Sequence, residues 1–276
     1  MDIIDLPIGI FDSGVGGLTV FSAVAKKLPR ENLLYLGDTA RVPYGSRSPE
    51  TVLKYAQRVA GHLVNRGVKA LIVACNTATT YALEYLQEAA QKENIPVLGV
   101  IAPGAQKAVA GSTNKKIGIL GTDGTIKGKR YEQEIHKINP HVTVIGQPCP
   151  LFVPLIEEGW HKDPITMQVA KRYLTNIEEP DTIILGCTHY PLIKPILEKV
   201  LPAVQFIDSA TATAEQSYKV LQEKNLLRQH GKGKYRFLVT DNMERFHRVG
   251  YYFLGYSPTP IQLIDLEEQD ANRLNR

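Results

Sequence analysis

The sequence lacks several features that mark specialised classes of protein. Its 276 residues include only three cysteines, and a small odd number in a chain of this length does not build a disulfide framework. Basic residues outnumber acidic ones by only 32 to 28 and are spread along the chain, which excludes a polycationic nucleic-acid tail. With 43% hydrophobic and 22% charged residues, the composition also excludes large-scale disorder and fibrous repeats. What remains is an ordinary globular chain, long enough for two domains.

A secretion signal and long apolar runs are missing as well. The first residues, MDIIDLPIGIFDSG, carry acidic side chains and no basic segment, so they do not form a signal peptide. The longest apolar stretches, such as residues 70–75, are far short of the roughly 20 residues that a membrane helix needs. We therefore expect a soluble, cytoplasmic protein with reduced thiols, and neither nucleic acid nor membrane as a partner.

Short apolar runs alternate with helical patterns along the whole chain. The apolar runs are rich in β-branched residues and bounded by Gly, Pro, Asp or Asn: 8–11, 33–36, 70–74, 97–100, 116–120, 142–145, 182–185 and 205–207. Amphipathic patterns typical of helices lie between them, at 49–66, 77–92, 126–138, 164–177 and 192–200. Continuous apolar strands separated by helices are typical of βαβ units. The sequence therefore predicts an α/β fold with mainly parallel sheets.

The two halves of the chain resemble each other. IGIFDSG at 8–14 matches IGILGTDG at 117–124, and LLYLGD at 33–38 matches VTVIGQ at 142–147, both at an offset of 109. LIVACNTA at 71–78 aligns with TIILGCTHYP at 182–191, which pairs Cys75 with Cys187, and VLGVIAPG at 97–104 aligns with VQFIDSATA at 204–212. We interpret this as an internal duplication into two pseudo-symmetric α/β domains, 1–100 plus 210–276 and 101–209. Residues 241–255 are predicted to form a closing helix.

Polar, turn-forming clusters follow the predicted strands. Ligands of open α/β sheets bind at the carboxyl ends of strands, so two facing domains would enclose a cleft with one cysteine on each side. Inversion of a stereocentre by proton transfer needs one base on each face of the carbon. Thiols suit this work because a helix N-terminus or a nearby cation can lower their pKa towards neutrality. Asp12 and His189 are candidate proton-handling partners at opposite ends of this cleft.

The third cysteine and the glycine-rich loop have simpler interpretations. Cys149 is more typical of a small buried residue, although its loop matches the 38–45 loop of the other half. The glycine-rich 14–17 loop has neither the lysine of a phosphate-binding loop nor the third glycine of a dinucleotide motif, which leaves a tight turn and an anion site open. A metal site made of Cys149, Cys187 and His189 has no supporting spacing, so no metal is expected.

Seven segments together resemble the glutamate racemases, the cofactor-independent enzymes of the aspartate/glutamate racemase family. They are IGIFDSGVGGLTV, GDTARVPYGSRS, VACNTATT, GVIAPG, GILGTDGTI, CPLFVPLIEEG and GCTHYPLI, with FHRVGYYFLG near the end of the chain. The resemblance implies that Cys187 removes the α-proton of L-glutamate and Cys75 reprotonates the opposite face. It implies that Asp12 assists Cys75, and that Glu158 with His189 assists Cys187. The substrate contacts that it implies are Asp12, Ser13, Tyr44, Gly45, Asn76, Thr77, Thr122, Thr125, Thr188 and His189.

The resemblance also implies that the enzyme supplies D-glutamate for cell-wall peptidoglycan and that it forms a homodimer. No cofactor is expected, neither pyridoxal phosphate nor a metal. Three alternatives stay open: an aspartate or broad amino-acid racemase, a metabolite-binding protein without catalysis, and an additional interaction with a protein such as a topoisomerase. A glutamate at the end of a helix, as Glu158 is predicted to be, is often only a solvated residue.

Overall fold

The fold is built on two sheets, in which every strand pair of the described residues is parallel. The computed structural model describes residues 2–266; Met1 and 267–276, which the predicted domain boundaries assign to the first domain, lie outside the described residues. The larger sheet contains β1 (Ile8–Asp12), β2 (Leu33–Gly37), β3 (Ala70–Val73), β4 (Val97–Gly99), β9 (Tyr235–Val239) and β10 (Ile261–Leu263). The smaller sheet contains β5 (Lys116–Gly121), β6 (Thr143–Pro148), β7 (Thr182–Gly186) and β8 (Gln205–Asp208). The predicted α/β class with mainly parallel sheets is confirmed.

Helices connect and cover these strands. They are α1 (Leu18–Lys27), α2 (Pro49–Asn65), α3 (Asn76–Gln91), α4 (Ile101–Gly111), α5 (Asp123–Lys127), α6 (Arg130–Ile138), α7 (Phe152–Glu157), α8 (Pro164–Leu174), α9 (Lys194–Val200), α10 (Ser209–Glu223) and α11 (Met243–Leu254). Their ends follow local chemistry. Ser48 caps α2 ahead of a proline in its first turn, and Gly255, at φ +75°, ends the predicted closing helix α11.

The order of strands repeats from one sheet to the other. The larger sheet runs β10-β9-β2-β1-β3-β4 and the smaller one runs β6-β5-β7-β8. The four strands of the smaller sheet therefore have the order of β2-β1-β3-β4, and each stands where the sequence repeat pairs it. This shared order supports an internal duplication, while the boundaries at 100/101 and 209/210 stay a prediction.

One large cluster of buried apolar side chains lies between the sheets. It joins strand residues of the larger sheet, such as Ile10 and Ile72, to Ile119 and Ile184 of the smaller sheet. Two further clusters cover the remaining sheet faces, one containing Leu63 of α2 and the other Leu197 of α9. Within the described part of the chain, no helix is long and apolar enough to cross a membrane.

Candidate active site

A cavity of about 420 Å³ lies at the carboxyl ends of strands from both sheets. This is the position at which parallel α/β sheets bind ligands, because strand-to-helix loops expose backbone and polar groups there. Of the predicted site residues, the following line the cavity: Ser13, Tyr44, Gly45, Cys75, Asn76, Thr77, Thr122, Glu158, Cys187, Thr188 and His189. Asp12 and Thr125 lie behind this lining, buried but within hydrogen-bond reach of residues that form it.

Cys75 lies two residues after β3, lines the cavity and is the N-cap residue of α3. Its Sγ accepts a hydrogen bond from the Ala78 backbone N–H at 3.4 Å, and the Ser13 Oγ lies 3.8 Å from it. The sequence predicts that the helix terminus lowers the pKa of this thiol. Burial and the neighbouring Asp12 carboxylate outweigh these hydrogen bonds and raise the pKa of Cys75 to about 12. Cys75 is therefore held as a protonated thiol.

Cys187 stands at the matching position of the smaller sheet, directly after β7. Its Sγ lies 3.8 Å from Nδ1 of His189, and Nε2 of that ring lies 2.9 Å from Oε1 of Glu157. Burial disfavours a charged imidazole, but the contacts with Cys187 and Glu157 outweigh it and raise the pKa of His189 to about 10. His189 therefore carries a positive charge in contact with the Cys187 sulfur.

Glu157 is held in its charged form by a second cation. Arg245 Nη2, on α11, lies 3.0 Å from Glu157 Oε2. Burial alone would raise the pKa of Glu157, yet the hydrogen bonds from His189 and Arg245 lower it below its usual value. A chain of contacts therefore runs from Arg245 through Glu157 and His189 to Cys187.

Asp12 closes β1 and links the two sides of the cavity. Its Oδ2 accepts a hydrogen bond from the Gly14 N–H at 3.0 Å, and its Oδ1 accepts one from Thr188 Oγ1 at 3.4 Å. Burial raises the pKa of Asp12, although the nearby positive charge of His189 acts to lower it. The glycine-rich loop fits closely here, because a Cβ at Gly16 would collide with the His189 ring and Thr188. Its glycines thus serve a close approach between the two sides.

A cluster of hydroxyl groups also lies at the cavity. Thr77 Oγ1 lies 2.8 Å from Thr122 Oγ1 and 3.3 Å from Thr125 Oγ1, so the two sides of the cavity share a hydrogen-bond network. Tyr44 donates its hydroxyl to Asp38 Oδ2 at 2.6 Å. The threonine hydroxyls can donate to an anionic ligand, while the hydroxyl hydrogen of Tyr44 is taken by Asp38. No arginine is among the predicted contacts.

The structure differs from the sequence prediction at one acidic position. Glu157, and not Glu158, contacts His189, because α7 ends at Glu157 and the chain turns away there. The Glu158 side chain is 60% exposed, and its only ion pair among the described residues joins Oε1 to Arg245 at 3.6 Å. Periodicity gave a partial signal, since Phe152 and Ile156 mark the buried side of this helix, but it does not say which glutamate reaches across the cavity.

Further residues of the site were missed by the sequence prediction. Arg245 lines the cavity, and the buried Asp38 orients the Tyr44 hydroxyl. Cys149 lines the cavity as well, in agreement with the match between its loop and the 38–45 loop. Asp38 follows β2 as Asp12 ends β1, so its position at a strand end was a usable signal. Arg245 had none, because it reaches the cavity only through the packing of α11. Across residues 2–266, no group of three His, Cys, Asp or Glu side chains is placed to hold a metal ion.

Known proteins resemble this chain in sequence and in fold. The profile of the Asp/Glu/hydantoin racemase family matches residues 16–217. The glutamate racemase of Geobacter metallireducens is 47% identical over 266 residues, which is 95% of this chain and 97% of that protein. That of Persephonella marina is 48% identical over 91% of this chain and 94% of its own length. The crystal structure of the Francisella tularensis glutamate racemase in complex with D-glutamate superposes with a TM-score of 0.90 at 39% identity, covering 96% of this chain and 99% of that one.

Parallel sheets that meet around a two-thiol cavity, together with these matches, define an amino-acid racemase, which is an isomerase. The chain belongs to the Asp/Glu/hydantoin racemase family, in its glutamate racemase branch.

Proposed function

We propose that this chain interconverts L-glutamate and D-glutamate without a cofactor, by moving the α-proton between Cys75 and Cys187. The observation that carries the proposal is the placement of two buried thiols at matching strand ends of two sheets, both lining one cavity. A racemase needs to remove a proton from one face of a carbon and supply one to the other face. The names of the relatives supply the substrate, and the Francisella structure contains D-glutamate.

The charges around the thiols suit the first half of the reaction. The thiolate of Cys187, stabilised by the His189 imidazolium, takes the α-proton of L-glutamate and becomes a thiol. The electron pair left on the α-carbon takes the proton of the Cys75 thiol from the opposite face, which yields D-glutamate and a Cys75 thiolate. The reverse reaction begins from this second protonation state. Burial of both thiols keeps water from competing for the proton.

Residues around the thiols have supporting roles in this proposal. Asp12 assists proton exchange at Cys75, and His189 with Glu157 does so at Cys187; Glu158 lies at the edge of the cavity. The substrate carboxylates are bound by donors from both sides. These are Ser13, Tyr44, Gly45, Asn76, Thr77, Thr122, Thr188 and His189, with Asp12 and Thr125 supporting them from behind.

Incubation with L- or D-glutamate in D2O tests the proposal. Optical rotation should fall to zero from either enantiomer while α-deuterium appears in the product, and chelators should have no effect. Cys75→Ser and Cys187→Ser should each abolish racemisation, since a serine hydroxyl is a far weaker acid than a thiol. Full racemase activity in either variant would refute the two-base assignment.

Cys149→Ser is the matched control. Cys149 is buried as well, and its thiol donates to the Gln147 carbonyl oxygen at 3.5 Å. This variant should keep most of the activity, which separates loss of a base from loss of any buried thiol. The same assay with aspartate measures how strictly the cavity selects the longer dicarboxylate.

The resemblance also supplies the proposed biological setting. We propose that the D-glutamate enters peptidoglycan, that the enzyme works as a homodimer, and that the three unpaired thiols reflect a reducing cytoplasm. The repeated strand order supports two half-domains from an internal duplication, residues 1–100 plus 210–276 and residues 101–209.

A further inference from the structure

A buried tyrosine outside the predicted site contacts one of its residues. Tyr131 lies on α6, is 2% exposed, and its hydroxyl lies 2.8 Å from Oδ1 of Asn76. Asn76 directly follows Cys75 and is the first residue of α3. The hydrogen bond therefore joins a helix that follows β5 of the smaller sheet to the residue next to a thiol of the larger sheet.

The other end of the Asn76 amide has a donor to offer. Asn76 is 2% exposed and lines the cavity, and none of residues 2–266 accepts a hydrogen bond from its Nδ2. A buried donor without a partner is costly, so such groups mark places where a ligand binds. An amide nitrogen donates and cannot accept, which suits a carboxylate oxygen.

Tyr131 decides which end of the amide faces the cavity. The two ends of an asparagine amide have nearly the same shape, so rotation by a half turn would present Oδ1 instead and repel a carboxylate. The Tyr131 hydroxyl carries a single hydrogen, which it donates to Asn76. That hydrogen selects Oδ1 as its acceptor and leaves Nδ2, at the other end of the amide, as the donor without a partner among residues 2–266.

The ring of Tyr131 is held in place by close packing. A Cβ on Gly186 would lie 3.3 Å from its Cε2 atom, and one on Gly104 would lie 3.4 Å from its Cε1 atom. These two glycines leave room for the ring between β7 and α4. The hydroxyl is thus fixed from both edges of the ring and has little freedom to leave Asn76.

We propose that Tyr131 is a positioning residue that fixes the Asn76 amide so that Nδ2 donates to a carboxylate of the amino-acid substrate. The identity of that substrate rests on the function proposed above. Tyr131 acts through Asn76 and touches no reacting atom. Its loss should weaken substrate binding more than the chemical step.

Tyr131→Phe tests this role through the split between KM and kcat. KM for both enantiomers should rise about tenfold, the effect of losing a hydrogen bond to a charged group, while kcat changes by less than about threefold. Tyr81→Phe is the matched control, because the Tyr81 hydroxyl also joins the two sides, donating to the Gly124 carbonyl oxygen at 2.8 Å, but does not line the cavity. Its KM should stay within about twofold of the unmodified protein.

A double-mutant cycle separates this role from a structural one. If Tyr131 acts through Asn76, adding Tyr131→Phe to Asn76→Ala should raise KM no further, whereas an independent role predicts multiplied effects. Asn76→Asp provides a second route should Tyr131→Phe fold poorly. A carboxylate at position 76 can still accept the Tyr131 hydrogen but has no donor for the substrate, so KM should rise at least about tenfold, and an unchanged KM would refute the proposal.

The outcomes distinguish the two proposals. If the unmodified protein does not racemise glutamate, the proposed function is refuted. An active protein in which Tyr131→Phe leaves KM unchanged, or raises it equally with and without Asn76, would refute the role of Tyr131 alone.

Discussion

At the scale of single residues, neighbouring glutamates at the end of α7 have opposite surroundings. Glu157 has a side chain only 15% exposed and lies between two cations, His189 and Arg245. Glu158 has a side chain 60% exposed and, among the described residues, pairs only with Arg245, at 3.6 Å. An exposed ion pair contributes little to stability, whereas a buried carboxylate hydrogen-bonded to a histidine controls the charge on that ring.

Glu157→Gln should therefore lower kcat by about tenfold to a hundredfold. The amide cannot stabilise the His189 imidazolium, so the positive charge beside Cys187 is lost at neutral pH. Direct acid–base groups typically contribute about 10²–10⁴, and Glu157 acts one step further away. The measurement is the initial rate of racemisation from each enantiomer at saturating substrate, followed by circular dichroism.

Glu158→Gln is the matched control for this prediction. It makes the same chemical change one residue along the chain and should have the smaller effect on kcat. A larger loss in Glu158→Gln than in Glu157→Gln would show that the hydrogen bond between Glu157 and His189 has no role in the reaction.

These residues also show what the sequence could reveal about the site. The duplication paired Cys75 with Cys187 because both follow apolar strands at matching offsets, a pattern that needs no knowledge of packing. The partner of His189 depends on where α7 ends, and a shift of one residue moves a side chain by about 100° around a helix. Arg245 and Tyr131 reach the site only through tertiary packing, which local sequence does not encode.

At the scale of elements, the eight predicted strands are all present. Each is a continuous apolar run bounded by turn residues, which is the strong signal of a buried parallel strand. The sequence did not predict β9 and β10, which have no counterpart in the repeat, and β10 is only three residues long. The helix predicted at 126–138 is two helices, because Lys129 adopts φ +51° between α5 and α6.

One loop is fastened to the start of a strand by a single carboxylate. Asp181, directly before β7, accepts hydrogen bonds from Ser112 Oγ at 2.7 Å and from the backbone N–H groups of Thr113 and Asn114 at 2.6 Å each. Burial would raise the pKa of Asp181, but these hydrogen bonds outweigh it and lower the pKa to about 2. The loop between α4 and β5 is thereby attached to β7.

Asp181→Asn should destabilise the protein by about 2 kcal/mol at neutral pH, since hydrogen bonds to a charged group are lost. Because the pKa is lower in the folded state, the stabilisation is fully present above pH ~4 and is lost as the pH falls through about 2. Urea unfolding of both proteins between pH 2 and 7 measures this difference. Glu179→Gln, which removes the charge of a side chain that is 88% exposed, should change stability by less than about 0.5 kcal/mol. A difference between Asp181→Asn and the unmodified protein that does not shrink in acid would contradict the assignment.

At the scale of the whole molecule, the two sheets share one core. The central cluster includes β1 and β3 of the larger sheet, β5 and β7 of the smaller sheet, and Leu221 of α10. Hydrogen bonds add to this connection, such as that from the Gly124 N–H to the Gly45 carbonyl oxygen at 2.8 Å. The boundary between the two predicted half-domains therefore runs through a continuous core. Such a core favours cooperative unfolding of both halves, even though the strand order indicates a duplication.

The described part of the chain should therefore unfold in a single transition. Leu63 of α2 packs in the cluster on the outer face of the larger sheet, while Leu197 of α9 packs on the smaller sheet. Each Leu→Ala change should cost about 3 kcal/mol and lower the Tm by roughly 5–10 °C.

The single tryptophan, Trp160, follows α7 and reports on the surroundings of the smaller sheet. Leu63→Ala should lower the midpoint of Trp160 fluorescence by as much as that of far-ultraviolet circular dichroism, and Leu197→Ala should do the same. If the halves unfold independently, Leu63→Ala will leave the Trp160 transition where it is, and the shared core will have failed to couple them.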